Sequence, residues 1–109
     1  MENTIAVLTN DTMRRANVIT NRTSSEAIGI IKALMINELK AKLATTAHFI
    51  YKKKNGEIRE AWGTINSNLM QAKINGNGIP RDYVNCVGYW DIEKGEFRSL
   101  RFENLIRVF

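Results

Sequence analysis

The apolar residues of this chain change their period once, near residue 44. Before that point Ile28, Ile31, Leu34, Met35, Leu39 and Leu43 recur at three- and four-residue spacing, with Lys32, Asn37, Lys40 and Lys42 elsewhere on the wheel. That pattern predicts an amphipathic helix over about 24–43, N-capped by Ser24 or Ser25, with Glu26 favouring its positive start. Ile30 and Ile36 widen the apolar surface, as expected of a helix that packs on both a sheet and a second subunit. Residues 1–23 read as an N-terminal extension, with a strand over 4–9 and then a polar, arginine-bearing stretch.

After Ala44 the period is two. Thr46 to Lys53 and Glu57 to Ile65 flank Asn55-Gly56, a dipeptide suited to a two-residue hairpin turn with both residues at positive φ. Residues 66–82 hold Asn75-Gly76, Asn77-Gly78 and the only proline, Pro80; they read as a long loop with one helical turn at Ser67 to Ala72. Tyr83 to Asp91 and Glu96 to Phe102 form a second hairpin around Lys94-Gly95, and Leu105 to Phe109 a closing strand after a turn at Glu103-Asn104. Five short strands in this order suit a small SH3-like or Sm-like barrel. The expected fold is mainly β: one long amphipathic α-helix followed by a five-stranded barrel over 44–109, all one globular unit.

Composition narrows the class without naming a function. At 44% hydrophobic and 25% charged the chain reads as an ordinary soluble domain. No apolar run approaches the roughly 20 residues of a membrane span, and no export signal opens the sequence, so a cytoplasmic location and no membrane partner are expected. The one cysteine, Cys86, excludes an internal disulfide and reads as a small buried hydrophobe. His48 stands alone, without the three or four convergent ligands a metal site needs. Asn75-Gly76-Asn77-Gly78 lacks the lysine of a phosphate loop, and no acid/base pair or nucleophile triad is recognisable. Neither an enzyme nor a cofactor is expected.

The net charge of +5 favours a polyanionic partner, and its excess sits on Lys52, Lys53, Lys54 and Arg59, either side of one turn. The closing segment adds Arg98 and Arg101. Their opposite parity places them on opposite faces of an unbent strand. Tyr51, Tyr89, Trp62 and Trp90 could stack on bases, but a barrel this small needs at least two of them in its core. Tyr89 is the expected exposed platform.

From about Thr46 to Phe109 the chain resembles the Sm-like SH3 β-barrel modules related to the WYL domain, in particular the short stand-alone WYL-like proteins of bacteria and phages. The resemblance is carried by Phe49-Ile50-Tyr51-Lys52-Lys53-Lys54-Asn55-Gly56-Glu57-Ile58-Arg59-Glu60-Ala61-Trp62-Gly63-Thr64 and by Phe97-Arg98-Ser99-Leu100-Arg101-Phe102-Glu103-Asn104-Leu105-Ile106. It implies a regulatory ligand-binding module, with nucleic acids or nucleotides as ligands and Arg98 or Arg101 in contact with an anion. The chain departs from the family in having no recognisable helix-turn-helix and no Trp-Tyr-Leu tripeptide, Tyr89-Trp90 being the nearest.

Two readings follow. In the first, a non-catalytic module binds nucleic acid or a nucleotide-like anion through Lys52, Arg59, Tyr89, Arg98 and Arg101. In the second, a protein–protein interaction module, of the kind a phage directs at a host or regulatory protein, docks through the broad helix face. A homo-oligomer suits either. Convergence of the basic side chains on one concave surface would favour the first.

Overall fold

The computed structural model describes residues 9–66 and 85–109. The strand expected over 4–9 falls almost wholly outside these residues. So do nearly all of the 66–82 loop and its Asn-Gly pairs.

Among the described residues two helices precede the sheet, not one. Helix α1 spans Asn10–Thr23. The Thr9 hydroxyl caps it by accepting from Thr12 N at 3.2 Å, and Asp11 sits in its first turn. It ends at Ser24, which turns left-handed at φ 62 and returns its N–H to Thr20 O. Ser25 at once caps helix α2, Glu26–Lys42, whose last turn carries Lys40 and Lys42. This corrects the reading of residues 10–23 as an irregular extension. The buried positions of α1 are Thr12, Arg15, Ala16 and Ile19, helical in spacing but half polar. Arg15 donates to Asn37 Oδ1 at 3.0 Å and Asn37 donates to Thr12 Oγ1 at 2.9 Å, so polar side chains occupy a stripe where apolar ones would have been legible.

The pairing of Thr12 with Asn37 and of Thr20 with Gly29 makes α1 and α2 an antiparallel hairpin. A Cβ on Gly29 would run into Thr20 Oγ1 and the Ala16 carbonyl, so the helices approach closely there. The buried face of α2 is accordingly Gly29, Ala33, Ile36 and Leu39. This rotates the expected stripe: Ile28 and Ile31 are 41% and 58% exposed.

Among the described residues five antiparallel strands follow: β1 Ala47–Lys52, β2 Ile58–Thr64, β3 Cys86–Asp91, β4 Glu96–Arg101 and β5 Leu105–Val108, in the order β4-β3-β2-β1-β5. The expected strand count and hairpins hold, but the sheet is not closed into a barrel. Its edges, β4 and β5, are joined by a 3-10 turn at Phe102–Asn104. The first hairpin turn is also longer than expected. Lys53 O accepts Gly56 N at 2.9 Å and Lys53 N donates to Glu57 O at 2.7 Å, and Gly56 alone takes positive φ, at 93. That is a three-residue loop with its glycine at the left-handed position.

Register separates the two faces of the sheet. Val87↔Leu100 and Tyr89↔Arg98 lie on the inner face, and Cys86↔Arg101, Gly88↔Ser99 and Trp90↔Phe97 on the outer. Ile19, Ile36, Leu39 and Leu43 close the inner face against Phe49, Tyr51, Val87, Tyr89, Leu100 and Leu105. Lys32 reaches from α2 to donate to Glu103 O at 3.0 Å and Leu105 O at 2.6 Å, pinning the 3-10 corner. Burial lowers the pKa of this lysine, an effect partly opposed by the Glu103 charge.

Candidate functional site

The open corner of the sheet carries a cleft of about 260 Å³. One wall is the end of β1 and its turn, Tyr51 to Lys54; the other is Cys86, Ser99, Leu100, Arg101 and Asn104 from β3, β4 and the 3-10 turn. Four of these nine residues are cationic and none is a carboxylate.

The nearest carboxylates lie at its rim and are already engaged. Glu57 accepts from Lys53 Nζ at 3.2 Å and from Asn55; the two hydrogen bonds hold its carboxyl below the ordinary pKa. Glu103 accepts from Arg22 at 2.7 Å, while Arg101 stands 3.9 Å from its other oxygen. Arg101 is 55% exposed, and Lys52 and Lys54 have no carboxylate partner among the described residues. A guanidinium that binds two oxygens in parallel, ammonium groups and the neutral donors of Ser99 and Asn104 together form a cradle for an oxyanion.

Of the five expected site residues, the structure brings Lys52 and Arg101 to this cleft. Arg59, Arg98 and Tyr89 lie instead on the inner face. Arg59 Nη2 sits 2.6 Å from Asp91 Oδ2 and 3.3 Å from Glu93; Arg98 Nε is 3.5 Å from the same Asp91 oxygen and its Nη2 is 3.2 Å from Glu96. Asp91 is wholly buried and its Oδ1 also accepts the Lys94 N–H. Burial disfavours the charge on Arg59, but the hydrogen bond and charge of Asp91 outweigh it and raise the pKa. These arginines hold the second hairpin. The unbroken β3–β4 register keeps Arg98 and Arg101 on opposite faces, as their parity required.

Tyr89 is a correction. It is fully buried, with its hydroxyl 2.8 Å from that of Tyr51, so it presents no ring to a ligand. Burial first, then the Tyr51 hydrogen bond, pushes its pKa well above the ordinary phenol value. Its ring lies over Gly63, where a Cβ would come within 2.5 Å of Tyr89 Cδ2. Of the four candidate stacking rings, Trp62 is the exposed one, at 37%, while Tyr51, Tyr89 and Trp90 are buried. Cys86 is corrected too: it faces outward, half-buried, and lines the cleft.

The cleft residues that sequence reasoning missed were Lys53, Lys54, Ser99 and Asn104. The lysine run was the available signal for the first two; Ser99 and Asn104 carried none. Among the described residues, no His/Cys/Asp/Glu group of three is placed to hold a metal, and no helix is long and apolar enough to cross a membrane.

Residues 36–106 match a family model described as WYL_2, Sm-like SH3 beta-barrel fold, from the middle of α2 into β5. No curated protein and no solved structure matches the chain.

Proposed function

This chain belongs to the WYL_2 family of Sm-like SH3 β-barrels, and on that premise we propose a non-catalytic binding module whose basic cleft takes a nucleic acid or nucleotide-like anion. The observation that carries this reading is the convergence of Lys52, Lys53, Lys54 and Arg101 on one concave surface whose lining holds no acidic side chain. At about 260 Å³ the cleft falls just below the roughly 300–1,000 Å³ typical of pockets that enclose a small ligand. It suits a phosphate and its ester group, with the remainder of the ligand outside.

Lys52 and Lys54 act as mobile point charges, Arg101 as the oriented two-point contact, and Ser99 and Asn104 as neutral donors. None of these contacts reads a base, so affinity is expected to be salt-dependent and weakly sequence-selective. No bond need form or break.

The test is fluorescence anisotropy with labelled single-stranded DNA, duplex DNA and RNA at two salt concentrations, with Lys52→Gln/Arg101→Gln beside the parent chain. The reading expects salt-sensitive binding that the variant weakens, with the slope of log K against log salt shallower by about 1 for each cation removed. Absence of binding to all three at low salt would reject it. The alternative, a protein-binding module acting on a host or regulatory protein, draws support from Ile28, Ile30 and Ile31, 41%, 40% and 58% exposed along α2.

A further inference from the structure

Outside the cleft, the outer face of the sheet carries a column of parallel flat groups that the core does not use. His48 stacks on Trp62 with ring centroids 4.4 Å apart and planes within 9°. On its other side His48 stacks on Phe109, at 4.1 Å and 16°. The Arg107 guanidinium carbon lies 4.2 Å over the Phe109 ring and ends the column there.

The backbone sets this order. His48 is the register partner of Trp62 across β1–β2, and its carbonyl accepts the Phe109 N–H at 2.9 Å. Glu60 holds the imidazole through Nε2 at 2.6 Å. Lys42 reaches from α2 to the Phe109 carbonyl at 2.6 Å. The column is thus pre-ordered, and a ligand that extended it would not have to freeze it.

Its other end is Trp62, whose carbonyl accepts the Ile92 N–H at 2.9 Å and so brings that residue alongside. Trp62 is 37% exposed, and among the described residues no ring covers its second face. His48, Ile50 and Lys52 alternate outward along β1 while Ala47, Phe49 and Tyr51 point inward, so the column and the basic cleft share one strand face. At roughly 3.3 Å per residue, His48 and Lys52 are about 13 Å apart along it. Ile50 lies between them, flanked by its two register partners, Arg107 on β5 and Glu60 on β2.

We infer that Trp62 is a stacking platform for a nucleobase and that the ligand is a single-stranded nucleic acid with phosphates in the Lys52/Arg101 cleft. A ring on the exposed part of Trp62 continues the existing column. Duplex ends aside, only a single strand offers an unstacked base face together with adjacent phosphates. This rests on the reading of the cleft as a phosphate site.

The test is a titration of intrinsic tryptophan fluorescence at low salt with a short oligothymidylate, an abasic backbone of equal length, and dTMP. The chain holds two tryptophans, and Trp90 is buried at 5%, so quenching reports Trp62. The oligothymidylate should quench and bind about tenfold more tightly than the abasic strand, the contribution of about one stacked base. Trp62→Ala should abolish that preference, and Trp62→Phe should keep it without the quench. Equal binding of the two strands without quenching would overturn the platform and leave the cleft standing. A base preference that survives intact in Lys52→Gln/Arg101→Gln would support the platform and overturn the cleft. No binding of any probe would overturn both.

Discussion

The hydroxyls of Tyr51 and Tyr89 meet at 2.8 Å inside the sheet, on strands β1 and β3 that do not pair with each other. The contact spans β2, where Gly63 leaves room for the Tyr89 ring. Tyr89→Phe strands the Tyr51 hydroxyl without its partner and should cost about 1–3 kcal/mol in urea denaturation. Tyr51→Phe/Tyr89→Phe should cost less than the sum of the two single changes. Additive losses would show that the hydroxyls do not couple.

The same pair sets an alkaline limit. The Tyr89 phenol has its pKa raised in the fold, by burial first and by Tyr51 next, above the value near 10 of an unfolded chain. Above about pH 10 the unfolded chain therefore sheds a proton that the folded chain keeps, and stability falls as pH rises. Below that pH the contribution is fully present. The loss should be shallower in Tyr89→Phe, read from urea midpoints between neutral pH and pH ~11. Identical slopes in the two proteins would contradict the assignment.

Asp91 is a shared anchor for two arginines and one turn amide. Asp91→Asn keeps a side-chain oxygen near Lys94 N but removes the charge facing Arg59, whose side chain is only 14% exposed. We expect a loss of roughly 3–5 kcal/mol. A thermal midpoint unchanged from the parent would exclude a structural role for these arginines and return Arg59 to the candidate ligand contacts.

Helix α2 allows a direct comparison of its two faces. Gly29→Ala should destabilise by more than about 1 kcal/mol, because α1 occupies the space its Cβ needs. Ile31→Gln, at a position 58% exposed, should stay within about 0.5 kcal/mol. The reverse order would mean that the stripe containing Ile31 is the packed one.

The parts of this fold legible in the sequence were those set by local chemistry. Alternation along Phe49-Ile50-Tyr51 and Glu60-Ala61-Trp62, with glycine at 56 and 95, was enough to place both hairpins. Helix α1 was not legible, since Thr12 and Arg15 occupy its buried face through bonds to Asn37, a residue of another helix. That hidden neighbour also turned α2 away from its apparent apolar stripe. Lys52 and Arg101 were visible as charges, but their convergence depends on the 3-10 corner held by Lys32. Tyr89 was misjudged because its burial is decided by Gly63, on the adjacent strand.

The central claim, that the open corner of the sheet binds an anion, is tested most directly by amide chemical-shift mapping of the full chain against a short oligothymidylate at low salt. The largest shifts should fall on Lys52, Lys53, Lys54, Cys86, Ser99, Arg101 and Asn104, and recede as salt is added. Shifts confined to α2 around Ile28 and Ile31, or none at all, would contradict it.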